Sequence, residues 1–205
     1  MSKRSRSSQH WLSRQRKDEY ARRARDLGYV SRAHFKLEQL DRRFKLLSGV
    51  RYALELGGAP GGWTSFIEDN LSPKGKLITV DPRDVQVGQQ TVHIRGYAGT
   101  ASVDSQIFEI LNGKKLDIVL SDMAPNISGV KEKDQSKAAE LNLLALRMAR
   151  ALLKKRGDVV VKSFQNPDLL RFKDEMEKYF DSVRIVKPPA SRKKSSEVYL
   201  VGQGF

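Results

Sequence analysis

Glu55-Leu-Gly57-Gly58-Ala-Pro-Gly61-Gly62-Trp63 is the stretch on which the reading of this chain turns. It continues the strand candidate Tyr52–Leu56 and opens a helical segment over 62–70. Glycines at such a turn permit positive φ and close backbone approach to a ligand. Outward from it, strand candidates at Lys76–Val80, Thr91–Arg95, Leu116–Ser121 and Asp158–Ser163 alternate with helical segments near 101–112, 135–155 and 167–180. That rhythm predicts an α/β fold, a parallel sheet covered by helices on both faces, with ligands received outside the carboxyl ends of the strands. Two last strand-like runs, Val183–Val186 and Glu197–Val201, are joined by a Pro- and Lys-rich loop without a helix, so they are expected to pair antiparallel. Upstream, Ser31 is placed to cap a helix with an apolar stripe of Ala33, Leu37, Leu40, Phe44 and Leu47, which Gly49 would end. Lys36 borders that stripe.

The glycine spacing is not G-x-G-x-x-G, which disfavours a nicotinamide dinucleotide, and no G-x-x-x-x-G-K-[ST] is present for a triphosphate. Asp81 ends the second strand, where a carboxylate can accept hydrogen bonds from both hydroxyls of a ribose. A ligand with a ribose and no need of a phosphate cradle fits this pair of features best, namely S-adenosylmethionine. A glycine turn shaped only by packing is the plain alternative. The acidic strand end beside it favours a nucleoside site.

At 205 residues the chain has the size of one α/β domain with a tail, read as a basic arm over 1–30 and a single domain over 31–205. The net charge is +14, and the first fifty residues hold fourteen Lys/Arg against five Asp/Glu. Lys187, Arg192, Lys193 and Lys194 form a second basic cluster. Such asymmetry points to a polyanionic partner, nucleic acid or an anionic surface. Residues 1–16 are expected to be mobile or to order on binding, with Trp11 serving either as a stacking platform or as an anchor on the domain. No apolar run approaches the ~18 residues of a membrane span, and the N-terminus has the charge of a signal peptide without its apolar core. No membrane association and a cytoplasmic location are therefore expected. Without cysteine there is no disulfide, no thiolate zinc site and no thiolate attack on a base carbon. His10, His34 and His93 lack metal-ligand spacing, so no obligatory metal is expected, and the chain is read as a monomer.

The ordered motifs SRAHFKL (31–37), GGAPGGW (57–63), SDMAPNISG (121–129), VVVKSFQ (159–165) and SRKKSSEVYLV (191–201) resemble the FtsJ/RrmJ family of RNA 2′-O-ribose methyltransferases, of the RlmE type. The resemblance runs from about Tyr20 to the end of the chain. It implies a Rossmann-like, S-adenosylmethionine-dependent methyltransferase fold, a mostly parallel seven-stranded sheet with one antiparallel strand. It implies a catalytic tetrad of Lys36, Asp122, Lys162 and Glu197, and cofactor contacts at Gly61, Trp63, Asp81 and Asp122. The substrate it implies is a uridine in the A loop of large-subunit rRNA, free or in the ribosomal subunit. A tRNA-directed enzyme and a non-catalytic RNA-binding assembly factor are the alternatives, and retention of all four tetrad positions speaks against the second. The family commonly carries Gly-Asp after the third strand, the Asp reaching the adenine. Here Gly96-Tyr97 stands there, which leaves Tyr97 to stack on or bond the adenine.

The residues agree with this independently. Asp122 follows the fourth strand and Lys162 closes the fifth, so both lie at the carboxyl edge beside the glycine turn. An antiparallel last strand begins at that edge and brings Glu197 there, while Lys36 enters from the preceding helix. A ribose hydroxyl attacks only as its proton leaves, so a base is needed, and Lys162 is the candidate. Like charge from Lys36 and the sulfonium, with desolvation, favours its neutral amine, whereas Asp122 and Glu197 oppose it and are better suited to orienting the lysines. An Asn/Asp-Pro-Pro-aromatic turn of amine methylation is absent, since Asp122-Met-Ala-Pro125 stands there.

Overall fold

Seven strands among the described residues, β1 (Tyr52–Leu56), β2 (Lys76–Asp81), β3 (Thr91–Arg95), β4 (Leu116–Ser121), β5 (Leu153–Phe164), β6 (Ser182–Val186) and β7 (Glu197–Gln203), most of them built on buried apolar residues, join in one sheet of order β3-β2-β1-β4-β5-β7-β6. The computed structural model describes residues 18–126 and 128–205. Strands β1 to β5 pair in parallel, and β7 runs antiparallel to both β5 and β6. Six helices accompany them among the described residues: α1 (Glu19–Asp26), α2 (Ala33–Phe44), α3 (Gly62–Asn70), α4 (Ala101–Leu111), α5 (Lys131–Leu152) and α6 (Asp168–Glu177). None is long and apolar enough to cross a membrane.

Each face of the sheet is buried, and strand alternation decides which residue faces which core. Leu54 and Leu56, Ile78 and Val80, Val159 and Val161, and Val198 and Leu200 pack beneath α4, α5 and α6. Their in-between neighbours Ala53, Leu77, Val160, Tyr199 and Val201 pack with Leu37 and Leu40 of α2 and Trp63 and Ile67 of α3. By that parity Lys162 and Glu197 belong to the α2/α3 face. The register Lys162↔Tyr199 and Phe164↔Glu197 makes them diagonal neighbours at the carboxyl edge.

Three local expectations are corrected. The α2 helix ends at Phe44 rather than at Gly49, because Lys45 takes the left-handed conformation (φ 57°) and Asp41 Oδ1 accepts from Leu47 N at 2.8 Å, drawing the chain aside. Its N-cap residue is Arg32, with Ser31 Oγ accepting from Ala33 N at 3.2 Å. Strand β5 begins at Leu153 rather than Asp158, and α5 stops at Leu152. The intervening Lys154-Lys155-Arg156 is exposed and bulged, with Arg156 at φ 64°, so it shows no apolar alternation to read.

The basic stretch before Ser31 contains α1, whose Ala24 packs with Phe35 and Ala190, flanked by Tyr20 and Tyr29. The expectations for residues 1–16 and Trp11 lie outside the described residues.

Candidate active site

At the carboxyl edge two lysine–carboxylate pairs stand on the α2/α3 face. Lys162 Nζ lies 3.2 Å from Asp122 Oδ1 and donates to the Asp122 carbonyl at 2.5 Å. Lys36 Nζ lies 2.7 Å from Glu197 Oε1 and 2.9 Å from Oε2. Between the pairs stands Tyr199, its hydroxyl donating to Asp122 Oδ1 at 2.9 Å and its ring 5.9 Å from Lys36 Nζ. The four side chains are only 9–19% exposed, so these are not solvated surface pairs. Burying such charges is costly for each ion unless good geometry and further hydrogen bonds offset it. Burial alone would push the Glu197 carboxyl up; Lys36, Ser191 and Lys162 outweigh it and hold it below the usual range. Burial, with Asp122 and Glu197 beside it, drives the Tyr199 phenol well up, so it stays a protonated donor.

The glycine turn packs against the same edge. Gly61 (φ 116°) caps α3 with backbone alone, and no side chain caps the first turn. A Cβ at Gly58 would lie 2.0 Å from Thr79 Oγ1, and one at Gly57 2.9 Å from Met123 N. These two glycines are thus required by the chain's own packing. The Trp63 ring is in the core, donating from Nε1 to the Ala33 carbonyl at 2.9 Å and packing against Tyr199. What Trp63 presents toward the turn is therefore backbone. Asp81 is buried, accepting from Ala59 N (3.1 Å) and from the backbone N, Nε and Nη2 of Arg83 (2.9, 3.2 and 3.3 Å). Burial opposes its charge, but the Arg83 and Ala59 bonds hold its carboxyl low. Tyr97 is 72% exposed and follows Gly96, whose N–H donates to the Asp81 carbonyl at 3.2 Å.

Sequence reasoning missed three participants. Tyr199 was legible by alternation, two residues after Glu197 on the same face. Ser191 opens the SRKKSSEVYLV motif but gave no signal of its own. Glu55, fully buried, accepts from Thr64 Oγ1 (2.6 Å) and Thr79 Oγ1 (2.8 Å), while its Oε1 has no partner among the described residues. Burial pushes its carboxyl up to about 7 against those two bonds, with Asp122 and Asp81 adding to the rise. Cavities of 320 Å³ beside Asn142, Ser163 and Phe172, and of 510 Å³ beside Arg150 and Tyr179, lie on the α5/α6 face, away from the glycine turn.

The family model described as FtsJ-like methyltransferase matches residues 29–205. Ribosomal RNA large subunit methyltransferase E of Coxiella burnetii (strain CbuK_Q154) is 39% identical over 202 residues, 97% of this chain and 95% of its own length. The protein of the same name from Hahella chejuensis is 39% identical over 98% of both chains. A crystal structure of a Plasmodium falciparum protein, described as a ribosomal RNA methyltransferase, superposes with a TM-score of 0.77 at 30% identity, over 86% of this chain and 98% of that one.

Proposed function

The chain belongs to the FtsJ-like methyltransferase family, and on that basis we propose that it methylates a ribose 2′-hydroxyl of large-subunit rRNA, the A-loop uridine, with S-adenosylmethionine as donor. The observation that carries this reading is Lys162. It is a lysine 9% exposed at the end of an apolar strand, held by Asp122 and flanked on the same face by the Lys36–Glu197 pair.

The residues present suit the cofactor. Asp81 is a buried carboxylate at the end of β2, suited to a ribose diol. The first turn of α3 has no side-chain cap, which leaves backbone donors for a carboxylate. Glu55 Oε1 is a buried acceptor without a partner among the described residues, beneath a turn that would receive a cationic ligand. Gly61 and Trp63 contribute backbone, Asp122 carries its carboxylate to the same edge, and Tyr97 supplies an exposed ring for the adenine. When bound, S-adenosylmethionine supplies a methyl group already activated on a sulfonium.

The chain must then orient the acceptor and take its proton. Lys162 is the acceptor of that proton. Asp122 holds the Lys162 amine through its carboxylate and its carbonyl, so the amine is aimed by two fixed oxygens. Tyr199, as a neutral phenol, completes the Asp122 carboxylate without adding charge. Lys36, fixed by Glu197, places a cation at the edge.

RNA would enter along the basic surface. Arg22 and Arg25 are exposed on α1, and Lys193 and Lys194 are exposed on the loop leading into Glu197. Two other basic side chains serve the protein itself: Lys187 Nζ donates to the carbonyls of Lys193 and Ser195, and Arg192 Nε pairs with Asp18. Transfer of labelled methyl from S-adenosylmethionine to large subunits, free rRNA and tRNA, followed by nucleoside mapping, tests the reading. A 2′-O-methyluridine in large-subunit rRNA is expected; label confined to tRNA, or no transfer at all, overturns it.

A further inference from the structure

Glu197 is held by more than Lys36. Ser191 Oγ donates to its Oε1 at 2.8 Å, and Ser191 is itself 5% exposed. Lys36 bridges both carboxylate oxygens. The terminal torsion of a glutamate is broad, so a carboxylate gripped by one ammonium can still rock about it. A second donor on one oxygen removes that freedom. Among the described residues that donor is Ser191; the Tyr199 hydroxyl stands near Glu197 as well, but its 2.9 Å bond goes to Asp122.

The backbone around Ser191 aims the hydroxyl. Arg32, Lys36 and Gln39 are spaced four and three along the N-terminal part of α2, so they form one stripe. All three engage the same segment. Arg32 Nη2 donates to the Ala190 carbonyl, Lys36 grips Glu197, and Gln39 Oε1 accepts from Ala190 N at 2.8 Å. Ser191 N donates to the Pro188 carbonyl at 2.8 Å, and Lys187 Nζ staples the far side of the loop to the Ser195 carbonyl at 2.6 Å. Ser195 Oγ accepts from the Glu197 backbone N at 3.1 Å, so it holds the strand end and not the carboxylate.

We infer that Ser191 is a positioning residue for methyl transfer: its hydroxyl fixes the Glu197 carboxylate in the orientation that grips Lys36, with the loop 187–195 as the frame that presents it. The inference rests on Glu197 being part of the catalytic edge. The groups facing that carboxylate are Lys36 and Arg32 from α2 and its N-cap, Lys162 from β5 and Tyr199 from β7, with Asp122 beyond Tyr199. The cations keep it ionised. Removing the Ser191 bond takes away one stabiliser of the charged form, so its titration moves upward.

The test is single-turnover methylation of large-subunit rRNA across pH, using the full chain. Ser191→Ala is expected to slow transfer on the order of tenfold and to move to higher pH the acid limb that Glu197 protonation adds below the limb of the Lys162 proton acceptor, with S-adenosylmethionine affinity and Tm near native. Ser191→Thr should restore both rate and limb. Ser195→Ala, in the same loop, should leave the limb in place. In a Glu197→Gln background, Ser191→Ala should cost little more. A native rate and limb in Ser191→Ala, with Glu197→Gln impaired, overturns the role of Ser191 and leaves the catalytic edge intact. So does a full additional loss in the double variant. A native rate in Glu197→Gln overturns the catalytic reading of that pair and Ser191 with it. If Ser191→Ala melts early, the Ser191→Thr profile decides: a displaced limb there overturns the inference.

Discussion

At the scale of single residues, Lys162 and Asp81 carry the sharpest expectations. Lys162 is directed by the side chain and the backbone of one residue, Asp122, so its loss should remove the proposed proton acceptor without opening the cofactor side. Lys162→Ala should lower single-turnover transfer by roughly the 10²–10⁴ of general-base catalysis, with calorimetric affinity for S-adenosylmethionine unchanged. Glu197→Ala should lose less. Near-native transfer in Lys162→Ala would remove it from the proton step. Asp81 is different: its two oxygens already accept four hydrogen bonds, three of them from Arg83. A ribose diol must therefore displace the guanidinium. Asp81→Ala should weaken cofactor binding by ~1.5–3 kcal/mol, whereas Arg83→Ala should strengthen it. That gain should stay within ~1 kcal/mol, because the Arg83 side chain is 72% exposed and its pairing is screened. Calorimetry on the two variants checks the opposed signs; weaker binding in Arg83→Ala would make Arg83 a cofactor ligand instead.

At the scale of elements, the β1 end, the glycine turn and α3 act as one unit around Glu55. Its folded-state carboxyl lies at about 7, above the ordinary carboxylate range. Between about 4.5 and 7 the native state therefore binds more protons than the unfolded chain. The resulting stabilisation is complete below the unfolded value and is lost as pH rises through 7. His34 works in the opposite sense, since burial holds its imidazole down against Glu38 and Asp69, so it favours the fold as pH rises through the histidine range. The two are separated by comparison: Glu55→Gln should flatten the decline in Tm between about pH 5 and pH 8 relative to wild type. Parallel curves would mean that Glu55 does not titrate in this window. At the same turn, Gly58→Ala places a Cβ 2.0 Å from Thr79 Oγ1 and should destabilise the chain by more than the ordinary glycine-to-alanine gain of ~0.4–1 kcal/mol offsets. Elements were legible where both faces are buried, because β1, β2 and β4 then read as mainly apolar runs. They were illegible at 153–157, where a charged bulge has no apolar alternation and Lys154 pairs with Asp117, and at α1, whose helix buries little beyond Ala24.

At the scale of the whole molecule, the net charge of +14 and the exposed lysines and arginines beside the edge predict RNA binding that weakens steeply with salt. Every phosphate left without its cation should reduce the log–log slope by roughly 0.7–0.9. Deleting residues 1–16, which carry five Lys/Arg, should weaken RNA binding and flatten that slope while leaving cofactor affinity as it was. An unchanged slope would make the segment a solvated tail. The order of residues was enough for the sheet with its helices and for placing Asp122, Lys162 and Glu197, named by family resemblance, at one carboxyl edge, because strand periodicity and motif order are local properties of the chain. Pairing was settled in three dimensions. Lys36 meets Glu197 across 161 residues and Tyr199 meets Asp122 across 77, contacts set by strand order and antiparallel register. Ser191 and Arg83 gained their partners, and Trp63 turned its ring into the core, for the same reason: side-chain hydrogen bonds follow from where the backbone brings distant segments together, and no local pattern encodes that meeting.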